Sequence, residues 1–81
     1  MKALALAALT ACLAVPAAAN RLEAARDLME AGRFEDAYDA FWPLARAGNA
    51  DAEELIGVMY ALGLGVERDP VRAFEWYLRS A

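Results

Sequence analysis

Two groups of carboxylates are the side chains in residues 20–81 whose type and spacing suit acid–base chemistry: Glu35, Asp36 and Asp39, and the pair Glu53 and Glu54. Paired carboxylates become an acid and a base when their surroundings push their protonation apart. The rest of this stretch offers them no help. It has no His, Cys, Lys or Thr, and its one serine, Ser80, is next to the last residue. Nucleophilic catalysis needs Ser, Cys, Thr or Lys beside a base, so no triad can be assembled. The main zinc ligands are missing too. No phosphate loop, dinucleotide glycine fingerprint or calcium-loop spacing is present. Both carboxylate groups fall at or near predicted helix starts, where acids favour the positive end of the helix dipole. Their expected role is therefore structural. The reading is a non-enzyme without cofactor or metal. A hydrolase working through Glu35 or Asp36 is the remaining catalytic alternative.

Charge points the same way. Residues 20–81 hold seven arginines (Arg21, Arg26, Arg33, Arg46, Arg68, Arg72 and Arg79) against 12 acids, a net charge of −5 (7 − 12). The arginines form no run, which suits a solvated, salt-bridged surface and not nucleic acid.

The elements that must position these groups are helical. No stretch alternates with period two, whereas apolar residues recur at helical spacing. A first helix is predicted from about Arg21 to Ala31, with Leu22, Ala25, Leu28 and Met29 on one side and Gly32 beyond its end. A second runs from about Phe34 to Ala47, turning Phe34, Ala37, Phe41, Leu44 and Ala45 inward, with Gly48 after it. Pro43 inside it cannot bond the Asp39 carbonyl, so a kink is expected there. A third helix follows Gly48-Asn49 and ends near Leu62. Its N-cap is either Asn49 or Asp51, the latter with Glu54 three residues on. The fourth starts at Asp69 as N-cap with Pro70 in the first helical position. Its apolar stripe is Ala73, Phe74, Tyr77 and Leu78. Trp76, Tyr77 and Tyr60 are expected to be core residues. Short connections make neighbouring helices antiparallel.

Ahead of these helices lies a different composition. The chain has 81 residues and is 60% apolar, but 16 of its first 19 residues are apolar. Met1-Lys2, the apolar run Ala3 to Val15, and Pro16-Ala17-Ala18-Ala19 have the three regions of a secretory signal peptide, with cleavage after Ala19. An exported protein, periplasmic or secreted, is the expectation. Leu9-Thr10-Ala11-Cys12 offers an alternative, lipidation at Cys12 and anchoring in the envelope. With the leader removed the chain has no cysteine and forms no disulfide.

The four helices repeat as two pairs. Ala25 aligns with Gly57 and Leu28 with Tyr60 at an offset of 32, and Ala37 aligns with Ala73 and Phe41 with Tyr77 at an offset of 36. The difference puts four extra residues in the loop of the second pair, which holds Gly63-Leu64-Gly65-Val66. Small residues at Ala25 or Gly57, and at Ala37 or Ala73, let helices approach; the large ones fill the space between.

Residues 50–81 resemble a Sel1-like repeat, a relative of the tetratricopeptide repeat. The resemblance rests on Ala50, Ala52, Ile56-Gly57, Tyr60, Gly63, Gly65-Val66, Asp69, Ala73, Trp76-Tyr77 and Ala81. Residues 21–48 look like a weaker unit of tetratricopeptide length, marked by Ala25, Leu28, Gly32-x-Phe34-x-x-Ala37, Phe41 and Leu44. The expected organisation is a leader at 1–19, a first helical pair at 20–48 and a Sel1-like repeat at 49–81. The expected fold is all-α, a fragment of a right-handed α-α hairpin solenoid. The chain departs from the pattern at Glu54, where an aromatic or other apolar residue is usual, and at Leu55, where a polar residue is common.

The resemblance implies a scaffold that binds another protein or peptide along a groove lined by the first helix of each pair. The sequence offers one such face. Helix three is apolar twice over: Ala52, Ile56, Met59 and Tyr60 suit the hairpin core, while Leu55, Val58 and Leu62 make a second stripe with Glu54 on its rim. That second stripe is either packing against the first pair or a partner-binding face. Solenoids usually need about three units, so two imply either the front of a longer array or completion by self-association.

Overall fold

The structure, a computed structural model, describes residues 17–81. The leader up to Pro16, with Cys12, lies outside the described residues. Four helices follow one another: α1 (Ala17–Glu30), α2 (Phe34–Arg46), α3 (Ala50–Leu62) and α4 (Pro70–Ser80). No strand occurs among the described residues. No helix among them is long and apolar enough to cross a membrane. The architecture is the all-α pair of hairpins that the sequence predicts. The main boundary difference is at α1, which begins at Ala17 and not near Arg21. Helix α2 continues through Pro43, which is exposed.

Each helix packs on the next in order, α1 on α2, α2 on α3 and α3 on α4. Two connections close in the same way. Gly32 N–H donates to the Met29 carbonyl and Arg33 N–H to that of Leu28, at 3.0 and 2.9 Å. Gly48 and Asn49 repeat this on Ala45 and Leu44, both at 3.0 Å. These paired bonds satisfy carbonyls that a helix end leaves open. The matching turns give α1 and α2 similar exits and explain how such short links can serve.

The third connection is longer and is fastened to the hairpin it closes. Leu64 N–H donates to the Met59 carbonyl at 2.9 Å, and Asp69 N–H to that of Tyr60 at 2.8 Å. Arg68 Nε reaches the Ala61 carbonyl at 3.2 Å. Gly65 has φ +75° and lies against the backbone of Phe34 and Glu35; a Cβ there would come within 2.6 Å of the Phe34 carbonyl carbon. The inserted loop thus docks the second hairpin onto the start of α2, and only glycine permits that approach.

The core is one cluster drawn from all four helices, including Ala25, Ala37, Phe41, Leu44, Ile56, Met59, Tyr60, Ala73 and Trp76. Phe41, Ile56 and Met59 are its largest fully buried side chains. Each such side chain contributes roughly 1.5–3 kcal/mol of hydrophobic stabilisation. The pairing of Gly57 with α4 is close: a Cβ on Gly57 would stand 2.7 Å from Tyr77 Cε1.

The stripe expected on α4 is corrected. Ala73 is buried as expected, but Phe74 and Leu78 are each 61% exposed, and Tyr77 keeps 36% of its surface exposed. Trp76 takes the inward position instead, at 6%. The cause lies in which neighbours α4 has. It meets α3 along Ala73 and Tyr77, and Trp76 turns toward Trp42 of α2. Among the described residues no element packs on the side that carries Phe74 and Leu78.

Candidate functional site

A chain of aromatic rings and arginines crosses from the first hairpin to the second. Tyr38 and Trp42 sit one turn apart on α2, so their rings fall on the same side and stack, 5.8 Å between centroids at 19°. Tyr38 meets Tyr60 of α3 edge to face at 5.9 Å and 89°, and their hydroxyls hydrogen bond at 2.8 Å. Trp42 meets Trp76 of α4 in the same manner at 5.4 Å and 72°. Edge-to-face contacts of this kind add about 0.5–1.5 kcal/mol each beyond the area they bury. Two guanidinium groups lie on the outer side. Arg72 stands 5.6 Å from the Tyr60 ring centre and donates from Nη1 to its hydroxyl at 3.5 Å. Arg79 stands 4.7 Å from the Trp76 ring centre.

The electrostatics follow from this packing. Burial pushes the Tyr38 phenol well above its ordinary range, and the hydrogen bond it shares with the Tyr60 hydroxyl, which holds its proton, pushes it further. The Tyr60 hydroxyl holds the Arg72 guanidinium still more firmly in its cationic form. Trp42, Arg72, Glu75, Trp76 and Arg79 line an open cleft of about 210 Å³. Arg72 is already shared with Asp69, whose Oδ2 lies 3.9 Å from its Nε, whereas Arg79 over the Trp76 ring is in none of the ion pairs among the described residues and has donors to offer a carboxylate. The cleft can therefore hold an acidic side chain, with Glu75 opposing on its rim.

A second cleft of about 400 Å³ lies where the Gly65 loop meets α2, lined by Gly32, Arg33, Phe34, Glu35, Asp36 and Gly65. Here Arg33 and Asp36 form an ion pair at 2.7 Å across one turn. Glu35, Asp36 and Asp39, the first carboxylate group, are all exposed on α2. In the other group Glu54 is exposed but Glu53 is buried, at 6%, which its sequence did not suggest.

The face expected to bind a partner divides in the structure. Glu54 is exposed at the start of α3, and Leu55 is half-buried against the core. Val58 is half-buried, and Leu62 is 64% exposed at the helix end. The repeat-defining residues take several places. Gly57, Tyr60, Ala73 and Trp76 are buried, and Tyr77 lies across Gly57. Gly63 turns the chain out of α3 in left-handed conformation, and Asp69 Oδ1 caps α4 by accepting from Arg72 N–H at 3.1 Å. Sequence reasoning missed Tyr38, Trp42, Arg72 and Arg79 as a group. The i, i+4 spacing of Tyr38 and Trp42 was there to be read, as was that of Arg72, Trp76 and Arg79 at i, i+4, i+7. Nothing in the sequence told that these two sets would meet.

Comparison with known proteins adds two findings. The family model for the Sel1 repeat matches residues 50–81. A stretch of 48 residues is 44% identical to the ERAD-associated E3 ubiquitin-protein ligase component HRD3A of Arabidopsis thaliana. That stretch is 59% of this chain but 7% of the plant protein. No solved structure matches.

Proposed function

We propose that this Sel1-like repeat protein is an exported scaffold that holds a partner protein on the outer side of α3. Sel1 repeats in general mediate protein–protein interaction, which makes a protein partner the coarse conclusion. The finer reading is carried by one observation. Helix α3 is apolar on two sides, yet Leu62 on the second side keeps 64% of its surface exposed while Ile56 and Met59 on the first are fully buried. Large apolar side chains exposed beside a folded core are what a groove for an apolar segment requires. Val58 continues that side toward Leu55, and Glu54 gives it a charged rim.

The test uses a displayed peptide library selected against the full chain. Selected peptides should lose binding to Val58→Asp and Leu62→Asp variants whose helical circular dichroism is unchanged. Selected peptides that bind both variants as well as the parent protein would place the partner elsewhere. Export rests on the first 19 residues and has its own measurement. Mass spectrometry of the protein produced in a bacterial host should find Asn20 as the N-terminus. An acylated Cys12 would support the anchored alternative, and an intact Met1 would remove export from the proposal.

A further inference from the structure

We infer that the outer side of α4 is a docking surface for the α1–α2 hairpin of a second copy of this chain. The two hairpins of one chain show how such a side is covered. Under the offset of 36 that relates α2 to α4, Tyr38 corresponds to Phe74 (38 + 36) and Trp42 to Leu78 (42 + 36). Tyr38 and Trp42 are the residues through which the first hairpin grips the second: Tyr38 on Tyr60 of α3, Trp42 on Trp76 of α4. Phe74 and Leu78 hold the same places on the second hairpin, and both are 61% exposed. Val71, one turn before Phe74, is 70% exposed and widens the patch. The register thus names the kind of surface that fits: the incoming side of another hairpin built on this repeat.

The chain itself supplies such a hairpin. Tyr60 corresponds to Leu28 under the offset of 32, and Trp76 to Ala40 under the offset of 36. In the assembly Leu28 of one copy meets Phe74 of the other, and Ala40 meets Leu78. Both residues are half-buried within their own chain and keep surface to offer. Leu28 and Ala40 are smaller than the Tyr60 and Trp76 whose register they share, so side-chain size sets up no clash with an incoming Phe74 or Leu78. The contact joins two different surfaces, so it is head-to-tail and does not close on itself. Association then lengthens the stack as concentration rises. This inference rests on the repeat register and is independent of the partner face on α3.

Sedimentation velocity of the full chain over a wide concentration range tests it. The parent protein should sediment faster as concentration rises. The Phe74→Asp/Leu78→Asp variant and the Leu28→Asp variant should each stay monomeric, because each has lost one of the two surfaces. Mixed together, they should form a one-to-one dimer and nothing larger, since each keeps the surface the other lacks. Leu62→Asp should sediment as the parent does, which separates this surface from the one proposed on α3. Circular dichroism guards against unfolding, and Ala40→Arg replaces Leu28→Asp if that variant loses its helices. A parent protein that stays monomeric throughout overturns the inference and leaves the α4 side to a hairpin of another protein. A mixture that stays monomeric, or variants that associate as the parent does, overturns it as well.

Discussion

The hydroxyls of Tyr38 and Tyr60 stand 2.8 Å apart and join the first hairpin to the second. The bond closes one end of the ring chain that runs from Trp76 through Trp42 and Tyr38 to Tyr60, with Arg72 donating to the Tyr60 hydroxyl from outside. It is the one side-chain hydrogen bond between the two hairpins among the described residues. Apolar packing, the exposed Arg26–Asp51 ion pair and the approach of Gly65 to the Phe34 backbone supply the rest of the junction, and this bond adds a directional contact to them.

Its pH dependence follows from the raised Tyr38 phenol. Burial and the Tyr60 bond hold the proton on Tyr38 in the folded chain at pH values where an unfolded tyrosine, with its ordinary pKa near ~10, has begun to lose it. Above that point the folded chain binds more protons than the unfolded one, so stability falls as pH rises. Below about pH 9 the contribution is present in full, because Tyr38 is then neutral in both states. Urea midpoints should therefore be level in this region and drop above pH ~10. Tyr38→Phe should lower the unfolding free energy at neutral pH by about 1 kcal/mol, the worth of one neutral hydrogen bond, and flatten the alkaline drop. An equally steep drop in Tyr38→Phe would assign the effect to other groups.

The contact of Gly57 with Tyr77 predicts a reversal of sign. A Cβ on Gly57 would stand 2.7 and 2.8 Å from two ring carbons of Tyr77 and 3.3 Å from the Ala73 carbonyl oxygen. Overpacking of this kind costs about 1–3 kcal/mol. Alanine in a helix interior returns about 1 kcal/mol relative to glycine. Gly57→Ala should thus destabilise the parent chain but stabilise a Tyr77→Ala background, where the ring is gone. Equal effects in the two backgrounds, by urea denaturation, would mean that the ring does not set the approach of α3 and α4.

Gly65 and Gly32 separate two costs that sequence alone cannot. Both have positive φ, +75° and +79°, so alanine at either pays the left-handed penalty of about 1–2 kcal/mol. Around Gly32 nothing lies within 4 Å of a built Cβ, whereas at Gly65 the Phe34 carbonyl and the Glu35 nitrogen block it. Backbone atoms cannot swing aside as side chains do. Gly32→Ala should cost only the conformational penalty, and Gly65→Ala clearly more, with the loop pushed away from α2. Hydrogen exchange at the start of α2 should accelerate in Gly65→Ala alone. Matching urea midpoints for the two variants would rule out the docking role of the loop.

What the sequence made legible follows from how local each signal is. Asp69-Pro70 starts α4, and Gly32, Gly48 and Gly63 follow α1, α2 and α3 directly or after a single residue, because caps and turns are decided by adjacent residues. The inward sides of α2 and α3 were readable from spacing, since each is flanked by neighbours that bury a broad stripe. The side chains of α4 were readable only in part: Ala73 and Trp76 are buried as expected, whereas Phe74, Tyr77 and Leu78 are not. Ala73, Phe74, Tyr77 and Leu78 fit a helical stripe as well as Ala73 and Trp76 do, and only the presence of α3 and Trp42 on one side chooses between them. The Trp42–Arg79 cleft was hidden for a related reason: its residues come from two helices whose meeting depends on the turns between them. Glu53 was placed near a helix start without its burial being foreseen, because that burial is set by tertiary contacts.

The start of α3 was ambiguous in sequence, and the structure decides it with a consequence that can be measured. Asn49 has extended backbone, and its Oδ1 accepts from Ala52 N–H at 3.0 Å, so it is the N-cap. Asp51 lies within the first turn and faces Arg26 of α1 at 3.8 Å, with both side chains largely exposed. Removing a capping side chain costs about 1 kcal/mol. An exposed ion pair is worth between about 0 and 1 kcal/mol and fades with salt. Asn49→Ala should therefore lower the stability of the chain at any ionic strength. Asp51→Ala should have a smaller effect that disappears in high salt. The cap matters beyond α3 itself, because Asn49 also donates its N–H to the Leu44 carbonyl in the turn that joins the hairpins. That backbone bond survives the substitution, so Asn49→Ala should weaken α3 without unfastening α2, and faster hydrogen exchange should be confined to the first turn of α3. Exchange that spreads into the end of α2 would show instead that the side chain holds the turn as well as the helix.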